Sequence, residues 1–194
     1  GKGMRIGISA FAADQGKSGI SQYMANILGR LPNLAPEDRF LVFIDRADAE
    51  LAQSWHPRLE VIAFPTWTAH PVISIFWHLI SLPATLRRHH CDVVFMPAGN
   101  RRLAWGYGVP SVGTIHDLSQ LHVPQKYDAL RTFYVMRLLP RLMRRLTRVI
   151  SVSESTRRDL EDYARVEPRK IRVIPNGADL GRFFPRDRSV AKEQ

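Results

Sequence analysis

RVISVSESTRRDLEDYARVEPRKIRVIPNG, residues 148–177, reads as strand, helix, strand. RVISVS is a short β-branched run. Ser153 then stands where a side-chain oxygen caps a helix start, with Glu154 and Asp159 early in the helix that runs to Ala164. KIRVIPN resumes the strand pattern, and Asn176 and Gly177 supply a turn after it. Two strands joined through a helix lie parallel, so this stretch predicts one βαβ unit.

Upstream the same alternation repeats. MRIGISAF (4–11), RFLVFID (39–45), LEVIAF (59–64), CDVVFMP (91–97) and PSVGTIHD (110–117) read as strands. Helical patterns span Ile20 to Leu31, Ala47 to Ser54, Pro71 to Arg88 and Asp128 to Leu146. Strands that are apolar on both faces and alternate with helices form a covered parallel sheet with right-handed crossovers. The expected fold is therefore α/β: a Rossmann-like, doubly wound sheet of about seven strands with helices on both faces. Ligands in such sheets sit beyond the carboxyl ends of the strands, which directs attention to the loops after Phe11, Phe95, Thr114, Val152 and Ile174.

Gly1 to Gly3 read as residues placed ahead of a natural start at Met4, and no signal peptide precedes the first strand, so a cytoplasmic setting is expected. Residues 4–184 form the domain, and the charged tail 185–194, PRDRSVAKEQ, reads as a linker toward a further domain. The single cysteine, Cys91, excludes a disulfide framework and any cysteine-based zinc site. PVISIFWHLISLP (71–83) is too short to span a bilayer. With 28 Lys and Arg against 18 Asp and Glu, the chain carries a formal charge of +10 and favours a polyanion. Charge alone does not choose among phospholipid, nucleic acid and a phosphorylated ligand.

Three motifs carry candidate chemistry. AADQGKSGISQYMANIL (12–28) puts Gly16, Ser18 and Gly19 between the first strand and a helix start. There, glycines let backbone approach a diphosphate and the helix end offers N–H groups. It matches neither the G-x-G-x-x-G fingerprint nor a P-loop, and a plain βα turn fits it equally; Asp45 is the only acidic residue closing the second strand where a ribose could be gripped. GTIHDLSQLHVPQKY (113–127) ends a strand in His116 and Asp117 at the ligand edge, where a His beside a carboxylate can bond a sugar hydroxyl or carry a proton. A lone His is more often satisfied by a backbone carbonyl. Ser153 and Glu154 are first a helix cap, and Asn176 and Gly177 first a turn. The seven histidines show no metal-ligand spacing, so no metal is expected, and His89 and His90 read as a solvated helix end.

In this order and at these spacings, TIHDLSQLHVPQKY, VISVSESTRRDL and KIRVIPNGADLGRF resemble the retaining glycosyltransferases of the GT-B fold, family four, which includes mannosyl-, glucosyl- and rhamnosyltransferases. The resemblance runs from Met4 to Phe184. It implies that this is the N-terminal, acceptor-side domain of a two-domain enzyme that uses a nucleotide-sugar donor without a metal and retains configuration. The nucleotide sugar is then a co-substrate held mainly by the other domain, and this half alone is inactive. By resemblance, Gly19 approaches the donor diphosphate with Ser18 and Gly16 beside it. Ser18 departs from the glycine pair common in the family, and so does Ser21. His116 lies near the transferred sugar, Asp117 steadies its loop, and Ser153, Glu154, Asn176 and Gly177 border the acceptor cleft. The acceptor is a saccharide or a lipid-linked sugar, as in polysaccharide biosynthesis.

DALRTFYVMRLLPRLMRRLTR (128–148) sets Arg137, Arg141, Arg144 and Arg148 three or four apart, on one helix face, with Leu138, Leu142 and Leu146 on another and a bend expected at Pro140. Such a basic face suits either plain solvation or the anionic inner surface of a membrane. Trp67, Ile75, Phe76 and Trp77 read first as core, second as an apolar contact. The alternative is a basic α/β domain that binds nucleic acid or anionic lipid without catalysis; no RNP, helix-turn-helix or KH motif supports nucleic acid. A nicotinamide oxidoreductase would need the missing glycine fingerprint.

Overall fold

The computed structural model describes residues 3–118 and 129–175. Seven strands, β1 (Arg5–Ser9), β2 (Arg39–Asp45), β3 (Leu59–Phe64), β4 (Val93–Met96), β5 (Ser111–Ile115), β6 (Arg148–Ser151) and β7 (Ile171–Val173), form one sheet ordered β3-β2-β1-β4-β5-β6-β7. Every pairing is parallel. The chain grows from β1 outward to β3, then returns to lay β4 on the other side of β1. β1 and β4 therefore flank the topological switch point, where a crevice opens at the carboxyl edge.

The strand sequences dictate the two layers. β2 is buried from Phe40 to Asp45, and alternate side chains serve opposite faces. Phe40, Val42 and Ile44 pack with Met24, Leu28 and Ala52, from α1 (Gly19–Leu34) and α2 (Ala49–Trp55). Leu41 and Phe43 join a larger cluster with Trp77, Leu86, Leu142 and Leu160. The helices over that second face are α3 (Pro71–Phe76), α4 (Leu82–Arg88), α5 (Ala129–Phe133), α6 (Leu139–Arg144) and α7 (Glu154–Asp162). Helices thus cover both faces, as the doubly wound reading expects.

Prolines shape the longer helices. A π-helical turn, Trp77–Ser81, joins α3 to α4, and another, Tyr134–Leu138, joins α5 to α6. Each directly precedes a helix carrying a proline in its first turn, Pro83 and Pro140. Proline cannot donate to the carbonyl four residues back and its ring crowds that oxygen, which here belongs to Leu79 or Met136 inside the π turn. The bend expected at Pro140 is a widened turn. α1 likewise runs through Pro32 to Leu34, three residues past the expected end, and the Pro32 carbonyl accepts instead from Arg58 Nη1 at 2.5 Å.

Two sequence readings need correction. The α6 helix stops at Arg144, and Arg148 opens β6, so it does not continue the face of Arg137, Arg141 and Arg144. The short turn at Arg145–Thr147 carries neither glycine nor proline to mark the stop. Trp77 is core, but Phe76 is 56% exposed, because the helix can turn only one side to the sheet, and Trp67, in the 3-10 turn Thr66–Ala69 before α3, is 61% exposed. Asn176, Gly177, the tail and the start of the helix expected from Asp128 lie outside the described residues.

Candidate functional site

The loop after β1 enters the crevice in a run of left-handed backbone: Ala12, Asp14, Gln15 and Gly16 have φ of 75°, 49°, 54° and 85°. Only Gly16 adopts this without strain, so the other three must be held by their surroundings. Part of the hold is Asp48, whose carboxylate accepts from the Gln15 N–H. Burial and the neighbouring Asp45 raise the Asp48 pKa above the usual carboxylate value, in that order. Asp45 is itself buried, and burial raises its pKa above the usual carboxylate value while nearby backbone N–H groups oppose the shift.

Ser18 ends the loop as the α1 cap and accepts from the Ser21 N–H at 3.1 Å. The Gln22 N–H closes on the Ser18 carbonyl, which leaves Gly19 and Ile20 as the first-turn donors outside the capping bonds. A side chain at Gly19 would meet nothing within 4 Å, so this helix end faces open space. Positive helix-end potential and accessible N–H groups meet here.

Across the crevice, the loop after β4 organises the histidine. His116 Nε2 bonds the Pro97 carbonyl at 2.7 Å. A carbonyl only accepts, so the proton sits on Nε2 and the lone pair on Nδ1. Burial lowers the pKa of His116, and Arg101 adds to that while the Pro97 bond opposes it. The imidazole is therefore neutral at neutral pH. Asn100 grips the backbone on either side: its Oδ1 accepts from the His116 N–H at 2.6 Å, and its Nδ2 donates to the Asp117 carbonyl. Asp117 thus serves the loop through its carbonyl, and its side chain is exposed.

Tyr23, one helical turn beyond Gly19, sets its ring edge-on to His116 with centroids 4.6 Å apart, and its hydroxyl lies 3.0 Å from Thr114 Oγ1. Arg101 reaches back to Asp14 at 2.8 Å and ties the β4 loop to the β1 loop. From the far side, the Thr156 hydroxyl donates to the His116 carbonyl at 3.4 Å, while Ser153 accepts from the Thr156 N–H at 3.0 Å. Gly16, Ser18, Gly19, His116, Asp117 and Ser153 thus gather along one sheet edge. Glu154 points elsewhere, to an exposed pair with Arg157 at 2.7 Å.

Tyr23, Asn100 and Arg101 escaped the sequence reading. The signals were thin: Tyr23 stands four residues after Gly19, and Asn100 and Arg101 lie in the loop after the fourth strand. Among the described residues, no group of three or more His, Cys, Asp or Glu is gathered to hold a metal ion. No helix among them is long and apolar enough to cross a membrane.

Comparison with solved structures sets this sheet beside glycosyltransferases. A crystal structure of Anabaena Alr3699/HepE in complex with UDP-glucose matches with a TM-score of 0.59 at 20% identity, over 92% of this chain and 45% of that one. A lipopolysaccharide outer core galactosyltransferase, WaaB, in its apo form matches with a TM-score of 0.55 at 13% identity, over 89% and 45%. A glycosyltransferase from Rickettsia africae ESF-5 matches with a TM-score of 0.52 at 14% identity, over 90% and 43%. The chain spans less than half the length of each of these. At such identities the likeness is one of fold. A comparison with curated protein sequences finds no match. The model of Glycosyltransferase Family 4 matches residues 17–182, from the first loop through β7 and beyond, and the chain belongs to that family.

Proposed function

We propose that this chain is the acceptor-side half of a two-domain glycosyltransferase that moves a hexose from a nucleotide sugar to a saccharide or lipid-linked acceptor with retention of configuration. The observation that carries the proposal is the joining of Gly19 to His116: one turn of α1 separates the open helix end from Tyr23, whose ring packs on the imidazole. A diphosphate at the first and a sugar at the second are then neighbours.

In this reading the acceptor hydroxyl attacks the anomeric carbon on the face that the diphosphate leaves. The bond from carbon to diphosphate oxygen breaks as the new glycosidic bond forms, and the hydroxyl proton passes to the departing diphosphate. The α1 N–H groups stabilise the charge that develops on the leaving group. His116, neutral and held by the Pro97 carbonyl, lies beside the transferred sugar and orients it. Asn100 and Pro97 hold the ring in place. Ser153 lies at the acceptor side, and residues supplied by a second domain hold the nucleotide. No metal takes part.

The test is mass-spectrometric assay of the chain joined to the remainder of its reading frame, with UDP-, GDP- and dTDP-sugars. Transfer or donor hydrolysis is expected from the longer protein, little or none from residues 1–194 alone, and a loss of about 100-fold or more in His116→Ala. Absence of turnover with every donor overturns the reading.

A further inference from the structure

The turn that follows α7 approaches α6 and encloses a surface cleft of about 490 Å³. Arg137, Arg141 and Arg144 line it from the helix and Arg165 from the turn, with Met136, Pro140 and Tyr163 between them. Arg165, a left-handed turn residue at φ 57°, shares the cleft with the helix arginines and takes the place the sequence reading gave to Arg148. Arg144 is anchored, donating to the Ala164 carbonyl at 2.8 Å. Arg137, Arg141 and Arg165 are exposed and have no carboxylate partner among the described residues. Among the described residues, none that lines the cleft is acidic. Four arginines around one cleft give it a positive potential that favours an anion.

The same helical rod continues the cleft in apolar form. Leu130, Phe133, Arg137, Arg141 and Arg144 follow one another at steps of three or four, one side of a helix. Leu130 and Phe133 are 65% and 60% exposed. A second exposed stripe, Val72, Phe76 and Ile80, runs along the α3 to α4 helix. The Arg101–Arg102 segment bridges the two rods: Arg102 Nε donates to Ser74 Oγ at 2.8 Å, and the Tyr134 hydroxyl donates to the Arg101 carbonyl at 3.1 Å.

We infer that this arginine cleft, with the apolar side chains beside it, docks the protein on an anionic phospholipid surface. Lipid satisfies both halves of the patch at once, phosphate against the arginines and acyl chains against Leu130 and Phe133. A nucleic-acid backbone would meet the arginines alone and leave the aliphatic stripes in water. The inference stands on the patch and does not depend on the transfer reaction.

Vesicle flotation of the chain tests it, with phosphatidylcholine vesicles against vesicles that also contain phosphatidylglycerol. Binding is expected only to the anionic vesicles and is weakened by salt. R137Q/R141Q weakens it about 25-fold, at about fivefold per arginine, whereas R137K/R141K retains it. Phe133→Ser, which leaves every arginine in place, costs about fivefold. Equal binding to neutral vesicles, or unchanged affinity in R137Q/R141Q, overturns the inference. So does displacement by millimolar inorganic phosphate, which would mark a small-anion site, or tighter binding to an RNA oligonucleotide than to anionic vesicles. Circular dichroism of each variant shows that the fold persists, since all three altered side chains are exposed.

Discussion

The two faces of the sheet are built to the same period and finished differently. Under α1 and α2, Met24, Leu28, Val42 and Ile44 are wholly buried, and the outer surfaces of those helices expose one large apolar side chain, Leu34. α1 and α2 together carry one arginine, Arg30, and one acid, Glu50. The opposite face has the larger buried cluster, yet its helices expose Val72, Ile73, Phe76, Ile80, Leu130, Phe133 and Met136 beside a row of arginines. Packing against the sheet accounts for the first face completely. On the second, the outward side chains answer to something besides the sheet. The sharpest break between the two is energetic. Leu28→Ala should cost about 3 kcal/mol in denaturant unfolding, through lost transfer energy and an unfilled cavity. Ile80→Ala, on an exposed stripe, should stay within about 0.5 kcal/mol. Comparable costs would mean that the stripe belongs to the core and that the contrast is false.

The second difference is in acid response. His78, wholly buried in the second face, donates from Nδ1 to the Ser74 carbonyl at 2.6 Å and accepts from Ser9 Oγ at 2.7 Å. Burial lowers its pKa to about 3. The unfolded chain takes a proton on this ring near pH 6.5 and the native state does not, so its stabilising contribution is complete above about pH 6.5 and drains as pH falls toward 3. The slope reaches about 1.4 kcal/mol per pH unit, so about 2 to 3 kcal/mol is lost between pH 6.5 and 4.5. Asp45 and Asp48, at the end of β2, act in the opposite sense: their raised pKa values let the native state bind protons before the unfolded chain does, which adds stability as pH falls toward the usual carboxylate value. His78→Gln should flatten the loss between pH 6.5 and 4.5 while lowering stability at pH 7. An unchanged slope would show that His78 does not govern it.

The sheet was legible because strands buried on both faces leave uninterrupted apolar runs, and RFLVFID occupies the same seven residues in the fold as in the sequence reading. What escaped depends on partners far away in the chain. Asn100 matters only because β4 lies beside β5 and brings it to His116, 16 residues on. The π turns before Pro83 and Pro140 are choices made by packing, where the sequence shows only a helix breaker. Arg148 was misassigned because helical arithmetic carries on past an end that nothing in Arg145–Thr147 announces. The Gly19 and His116 motifs stood out singly, but that Tyr23 couples them is a fact of three dimensions.

The smallest expected effect separates the two helix starts at the sheet edge. Ser18 caps α1 through one bond to Ser21 and reaches no further. Ser153 caps α7 through the Thr156 N–H, donates to Thr156 Oγ1 at 3.0 Å, and through that hydroxyl is linked to the His116 carbonyl. Losing either cap should cost about 1 kcal/mol. Ser153→Ala also frees the Thr156 hydroxyl from its fixed orientation, so the His116 ring signals should move in the NMR spectrum, whereas Ser18→Ala should leave them in place. If both variants leave them unmoved, α7 supports the fold without supporting the histidine, and the hold on His116 comes from the β4 loop and Tyr23 alone.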